Sequence, residues 1–231
     1  NTAFSIELCK FALDHNARFI NASSAATYGN GAQGFYDSPE KTRLLKPLNM
    51  YGYSKHLFDL WLLDNNLQDS VASLKFFNVY GPNEYHKGDM QSVAAKAHRQ
   101  IRKEGSLNLF KSDRPDMADG EQSRDFVYVK DCTALMAWLL ERKDVCGIHN
   151  VGTGTARSFN ELAMSVFSAL ELPCRINYVA MPDTLKGRYQ HFTEAAMDWL
   201  ERVDCPLAFT SLEEGIADYV RGYLEMDDAY L

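Results

Sequence analysis

Hydrophobic positions along this 231-residue chain change period repeatedly. Phe4, Leu8, Phe11 and Ala12 recur at helical spacing and predict an amphipathic helix over 1–15. Arg18-Phe-Ile-Asn-Ala22 then reads as a short strand, with small and hydroxyl residues 23–29 at its end. Residues 30–47 carry Gly31, Gly34, Pro39 and Pro47 among charges and read as loop. A long helix is predicted over 50–66, and a strand over 70–78 that ends in Val79-Tyr-Gly-Pro82. A polar loop over 83–90 precedes a helix near 90–104, stopped by Gly105.

The second half repeats the alternation. Strands are predicted at 107–110 and 124–129, separated by a charged loop. A helix at 131–143 has Leu135, Met136, Leu139 and Leu140 at core spacing. A strand at 148–151 runs into Gly152-Thr-Gly154. Ser158 and Glu161 form a capping-box pattern before a helix over 158–170. A strand at 175–179 follows, and helices are predicted over most of 193–226. Strands alternating with helices indicate an α/β fold with a mainly parallel sheet. Ligands of such sheets sit beyond the C-terminal strand ends, here 23–29 and 78–87.

Composition changes this picture little. Hydrophobic residues make up 46% and charged residues 24%, and the net charge is −7, which speaks against a nucleic-acid surface. The five Cys form no CxxC pair, a usage that fits a reducing compartment. The six His show no metal-ligand spacing, so no metal is expected. No apolar run approaches the length of a membrane span.

Candidate chemistry centres on Tyr51-Gly-Tyr-Ser-Lys55, downstream of Ser23-Ser24-Ala-Ala-Thr27-Tyr28-Gly29. A Tyr and a Lys four apart share a helix face. A free phenol has a pKa of about 10, and about 4 kcal/mol of extra phenolate stabilisation brings it near neutrality. A neighbouring ammonium supplies part of that. The spacing alone is weak, since a chain with 12 Tyr is expected to show it by coincidence. Its setting strengthens it: strand, Ser-Ser, loop, helix, then another strand ending in a turn.

Together with Phe77-Asn78-Val-Tyr-Gly-Pro82, Arg124-Asp-Phe-Val-Tyr-Val129 and Asn150-Val-Gly-Thr-Gly154, these segments resemble the extended short-chain dehydrogenase/reductase family, over about two thirds of the chain. His86-Lys87-Gly88 and Leu185-Lys-Gly-Arg-Tyr-Gln190 narrow the resemblance to nucleotide-sugar epimerases that invert C6″ of an ADP-heptose for lipopolysaccharide core. The resemblance implies a cytoplasmic isomerase using NADP, with NAD less favoured. It also implies an ADP-sugar substrate and a homo-oligomer, a pentamer by family. Tyr51 and Lys87 are implied as the two acid/base residues, supported by Ser24. Lys55, Val79 and Lys87 would meet the cofactor. Ser24, Asn78, Asp89, Lys96, Phe110, Lys111, Ser112, Asp113, Arg124 and Tyr189 would line the ADP-sugar site. Two positions depart from the pattern: Asp89 stands where Ser is expected and Lys96 where His is. Residues 114–121 read as an insertion beside the nucleotide loop.

Two acid/base groups make physical sense for inverting a carbinol. Once the carbonyl turns, its oxygen lies in a second place and needs a second proton partner. Bland readings compete at several positions: a solvated loop lysine for Lys87, an ion pair with Asp125 for Arg124, and a surface charge run for 186–189. Other family reactions, a UDP- or GDP-sugar 4-epimerisation or a dehydration, are alternatives. Ala25-Ala26 stand where a dehydratase is expected to carry an acidic pair. A non-catalytic nucleotide-binding remnant is the alternative from another class.

Gly29-Asn-Gly31-Ala-Gln-Gly34 spells G-x-G-x-x-G, but Phe35-Tyr-Asp-Ser-Pro39 follows it instead of an apolar helix, so it is not read as a dinucleotide fingerprint. The expectation is that roughly 80–100 residues, about three βα units, precede this segment in the family. Residues 1–82 are then the C-terminal part of a dinucleotide-binding Rossmann domain. Residues 83–231 are mainly a smaller α/β substrate domain, with 124–155 returning to the Rossmann sheet. The 231-residue polypeptide by itself is expected to bind NADP poorly.

Overall fold

The computed structural model describes residues 1–183 and 189–230. Its helices are α1 (Thr2–Asp14), α2 (Pro39–Thr42), α3 (Met50–Asp64), α4 (Val93–Glu104), α5 (Val129–Glu141), α6 (Phe159–Ala169), α7 (Trp199–Arg202) and α8 (Leu212–Tyr219). Its strands are β1 (Phe19–Ser24), β2 (Val71–Phe76), β3 (Asn78–Tyr80), β4 (Leu107–Phe110), β5 (Ser123–Tyr128), β6 (Gly147–Val151), β7 (Ala156–Ser158) and β8 (Ile176–Val179).

Among the described residues, three sheets result. The first is parallel, in the order β1-β2-β6, with Phe19 opposite Val71 and Leu74 opposite His149. The second places β5 between β3, parallel, and β7, antiparallel. The third pairs β4 with β8 in parallel. The chain passes from the first sheet to the second at Phe77, whose N–H donates to the Val151 carbonyl at 3.0 Å. This is the parallel α/β architecture expected of the alternation.

Several local expectations need correction. A helical turn, α2, interrupts the 30–47 loop because Ser38 caps it and Pro39 occupies its first turn. Residues 85–90 coil into 3-10 turns, so the next helix begins at Val93, after the Ser92 cap. Residues 156–158 form a strand that the sequence did not announce, because β5 offers them an antiparallel partner, and the helix expected over 158–170 begins after it at Phe159. Over 193–226, helix is confined to 199–202 and 212–224, with extended chain between them. That connecting segment includes Leu207 and Phe209, which pack on the core without helical pairing.

Alternation along the first sheet explains its layers. Ile20, Leu74, Phe76 and Val151 pack against Leu135 and Leu139 of α5 and against Trp199. On the opposite side, Phe19 and Val71 meet Cys9 of α1 and Phe58 and Leu62 of α3. A second core joins Ile101 of α4, Leu109, Phe126, Leu162, Val166 and Phe167 of α6, and Ile216 and Tyr219 of α8. Burying each such side chain contributes roughly 1.5–3 kcal/mol. Among the described residues no helix is long and apolar enough to cross a membrane, and no group of three or more His, Cys, Asp or Glu is placed to hold a metal ion.

Candidate active site

Tyr51 lies in the first turn of α3, which starts where the Asn49 side chain accepts a hydrogen bond from Gly52 N at 2.8 Å. Gly52 is needed for approach. A Cβ there would lie 2.6 Å from the Ala26 carbonyl oxygen and 3.0 Å from Pro47 Cβ. Its bare Cα lets α3 press against the 3-10 turn at 25–28, which Ser24 caps by accepting from Ala26 N at 3.1 Å. The tyrosine is thereby drawn toward the end of β1.

Ser24, Tyr51, Asn78, Val79, Glu84 and Lys87 line one cleft of about 350 Å³. Tyr51 is 54% exposed, and Lys87 is exposed in the 85–90 turns. Lys55 donates from Nζ to the Ala22 carbonyl at 2.7 Å, and the same ammonium lies 6.0 Å from the centre of the Tyr51 ring. The resemblance-derived acid/base residues therefore share one space at the C-terminal end of the parallel sheet.

A second cavity, of about 450 Å³, is lined by Asn78, Val93, Lys96, Phe110, Gln122, Arg124, Phe159 and Tyr189, among others. Asn78 and Val93 line both spaces, so the two adjoin. Arg124 is buried, with its guanidinium donating to the Ser123 and Gln190 carbonyls. It sits 5.1 Å from the Tyr189 ring centre and 5.6 Å from that of Phe159. Burial lowers its pKa, a direction that an anionic ligand would oppose. Its hydrogen bonds do not go to Asp125. Asp125 instead accepts from Thr153 N, Thr153 Oγ1, Gly154 N and Ala195 N at 2.7–3.0 Å. Burial still pushes that carboxyl up. The Gly152-Thr-Gly154 turn thus cradles a carboxylate of the protein itself.

Other expected site residues stand apart. Asp89 is exposed and lines neither space. Lys111, Ser112 and Asp113 follow Phe110 but do not line the second cavity. Ser112 accepts from Arg114 N and its own N–H donates to Asp119, while Asp113 meets His191 Nε2 at 2.6 Å. The stretch 184–188, including Lys186 and Arg188, lies outside the described residues. Gly29, Gly31 and Gly34 all take positive φ within turns, and no helix opens on them, as their rejection as a fingerprint requires.

Sequence reasoning missed a buried polar cluster behind the cleft. Asp59 of α3 accepts from Ser23 Oγ and Ser73 Oγ, each at 2.7 Å. Lys75 Nζ lies 3.5 Å from Asp59, donates to Thr27 Oγ1 at 3.1 Å and stands 4.8 Å over the Tyr28 ring. Both charged side chains are wholly buried. A lysine inside the apolar run VASLKFF was the available signal. Glu84 and Gln122 were also passed over, and both are buried at the cavity walls.

Residues 1–152 match the family model described as the NAD dependent epimerase/dehydratase family. The chain belongs to that family. Membership brings dependence on a nicotinamide cofactor. A Nitratidesulfovibrio vulgaris protein named ADP-L-glycero-D-manno-heptose-6-epimerase is 56% identical over the whole chain, which spans 72% of that relative. A Fusobacterium nucleatum protein of the same name is 45% identical, again with all of this chain and 72% of the relative covered. The crystal structure of the Helicobacter pylori ADP-L-glycero-D-manno-heptose-6-epimerase superposes with a TM-score of 0.79 at 27% identity, covering 96% of this chain and 64% of that one. A UDP-N-acetylglucosamine 4-epimerase from Methanobrevibacter ruminantium shares the fold, with a TM-score of 0.77 at 24% identity. In this epimerase/dehydratase chain, the matched segment carries β1, α3, β2 and the cleft lined by Ser24, Tyr51 and Lys87.

Proposed function

We propose that this protein inverts C6″ of an ADP-heptose, interconverting ADP-D-glycero-D-manno-heptose and ADP-L-glycero-D-manno-heptose for lipopolysaccharide core, with NADP as the nicotinamide carrier. The observation that carries this reading is the adjoining of two spaces. One is lined by Ser24, Tyr51 and Lys87, the other by Arg124, Phe110 and Tyr189, and Asn78 and Val93 line both. The names of relatives 45–56% identical support the same substrate.

The nucleotide end belongs in the aromatic cavity. Phe110 and Tyr189 meet edge to face with centres 6.3 Å apart, a site for a flat base or ribose. Arg124 suits the diphosphate, because a guanidinium meets phosphate oxygens in a bidentate way. The sugar then reaches through the Asn78–Val93 opening into the cleft. The exposed Tyr51 ring, the Lys55 ammonium near it and Val79 fit a nicotinamide riboside on the open side of that cleft. When bound, that group accepts and returns a hydride.

The chain's own residues handle protons and orientation. Tyr51 Oη takes the C6″ hydroxyl proton, helped by the Lys55 charge. Ser24 orients the same oxygen from the end of β1. After the carbonyl turns, Lys87 serves the oxygen in its second position, and the configuration inverts. The same reading makes the protein a cytoplasmic homo-oligomer, five copies by family resemblance, a number that light scattering tests.

The deciding experiment incubates the full-length protein with NADP and ADP-D-glycero-D-manno-heptose and follows C6″ inversion by NMR. Tyr51→Phe and Lys87→Met are each expected to cut turnover roughly 10²–10⁴-fold. Near-normal rates in both variants would sink the mechanism. Inversion at C4 of a UDP- or GDP-hexose, with none at C6″, would replace the substrate assignment.

A further inference from the structure

Lys87 is an exposed side chain on a short excursion between β3 and α4, and a proton-transfer group on such a segment needs something to hold it still. The excursion starts at Glu84 and ends at Ser92. Both of its ends converge on one carboxylate. Glu84 is only 4% exposed. It accepts from Ser92 N at 2.5 Å and from Ser92 Oγ at 2.7 Å, and a third donor, Tyr219 Oη of α8, reaches it at 2.9 Å. Ser92 is also the cap of α4, accepting from Ala95 N at 3.2 Å. Within the excursion, Lys87 N donates to the Glu84 carbonyl at 3.0 Å, and Gln91 Nε2 donates to the Tyr85 carbonyl at 2.8 Å. The bend at Gly88 has φ 52°, and nothing lies within 4 Å of where a Cβ would be. The body of the turn is therefore open, and its feet are fixed.

We propose that Glu84 is a positioning residue for the second proton transfer: its buried carboxylate staples residue 84 to residue 92 and to α8, and thereby holds Lys87 at the cleft. This rests on the role of Lys87 in the epimerisation proposed above. Ser92 N, Ser92 Oγ and Tyr219 Oη all converge on this one carboxylate, so the neutral isostere is the informative change. In Glu84→Gln one oxygen becomes an amide NH₂ that faces a donor, at nearly unchanged volume.

Two measurements on the intact protein test it. By hydrogen exchange, Glu84→Gln is expected to speed amide exchange across 85–92 roughly tenfold or more, with α3 and β1 unchanged. With NADP and ADP-heptose, it is expected to lower kcat roughly 10–100-fold with KM within about twofold. In a Lys87→Met background the same change should cost less than about twofold more, because both act on one step. Tyr219→Phe removes a single donor and should move each readout the same way by less, which covers a Glu84→Gln protein that fails to fold. Unchanged exchange over 85–92, an unchanged kcat, or an equal loss in the Lys87→Met background each overturns the proposal. Wild-type protein that binds ADP-heptose but never inverts C6″ instead overturns the functional reading, and the exchange experiment still decides whether the staple exists.

Discussion

Replacing Lys75 with Met removes one half of a wholly buried ion pair while keeping a side chain of similar length, so cavity formation contributes little. Asp59 is left behind, with both its oxygens inside the protein and with Ser23 Oγ and Ser73 Oγ still donating at 2.7 Å. Breaking a buried pair from one side typically costs about 3–5 kcal/mol. The two surviving hydroxyl donors favour the lower end, so about 3 kcal/mol is expected. For a chain of this size that lowers Tm by roughly 6–12 °C. Urea unfolding at fixed pH gives the difference directly, provided the m-value is unchanged. Burial lowers the Lys75 pKa from its ordinary 10.5, against the pull of Asp59. The unfolded chain therefore binds more protons between the folded pKa and 10.5, and stability rises with pH through that window. Lys75→Met should abolish that rise. Adding Asp59→Asn should restore more than about 1 kcal/mol, because the stranded charge disappears while an acceptor oxygen remains. A single variant within about 1 kcal/mol of the parent, with no coupling to Asp59, would refute the assignment of a charged, interdependent pair.

Two further outcomes follow from the geometry. Gly52→Ala gains helix propensity of about 1 kcal/mol, yet it places a methyl 2.6 Å from the Ala26 carbonyl. It is expected to lower Tm and to cut kcat by up to roughly 10²-fold by moving Tyr51 from Ser24, and a stabilised variant with full activity would show that the contact does not set the site. His56 and His149 both have pKa values lowered by burial, the first also by Lys75. The unfolded chain then takes up more protons between the folded values and 6.5, so stability falls as pH drops through that range, and His56→Leu should flatten part of the slope in pH-dependent thermal melts.

The alternation of strand and helix was legible because each element buries one face at its own period, as Ile20, Leu74 and Val151 do toward α5. Tyr51 stood out by its spacing to Lys55, while Lys87 and Arg124 were pointed to through the family resemblance of the segments around them. Less legible were features made by convergence of distant segments. Lys75 and Asp59 are 16 positions apart and read separately as a strand lysine and a helix acid. The β7 pairing depends on β5 supplying a partner edge, and nothing in Ala156-Arg-Ser158 announces it. The 111–113 stretch reads as part of a nucleotide loop. In the structure Ser112 pairs with Asp119 and Arg114, and Asp113 with His191.

The junction at Phe77 gives the site its geometry. β2 ends at Phe76 in the first sheet and β3 begins at Asn78 in the second, with Phe77 bonded to Val151 of β6 between them. Phe77 itself packs with Tyr28, Leu45 and Ala195, so the crossover is buried on both sides. The cleft that holds Tyr51 and Lys87 is walled by the ends of β1 and β2, the first turn of α3, Asn78 and Val79 of β3, and the 84–93 segment. The aromatic cavity is built from β4, β5 and α4. This crossover and the 84–93 segment both tie the two spaces together, and a fixed separation is what would let binding of a distant nucleotide, in the function proposed above, position a reacting carbon. Asn78, the first residue past the crossover and a wall of both spaces, is therefore where a change in sugar length would first be felt.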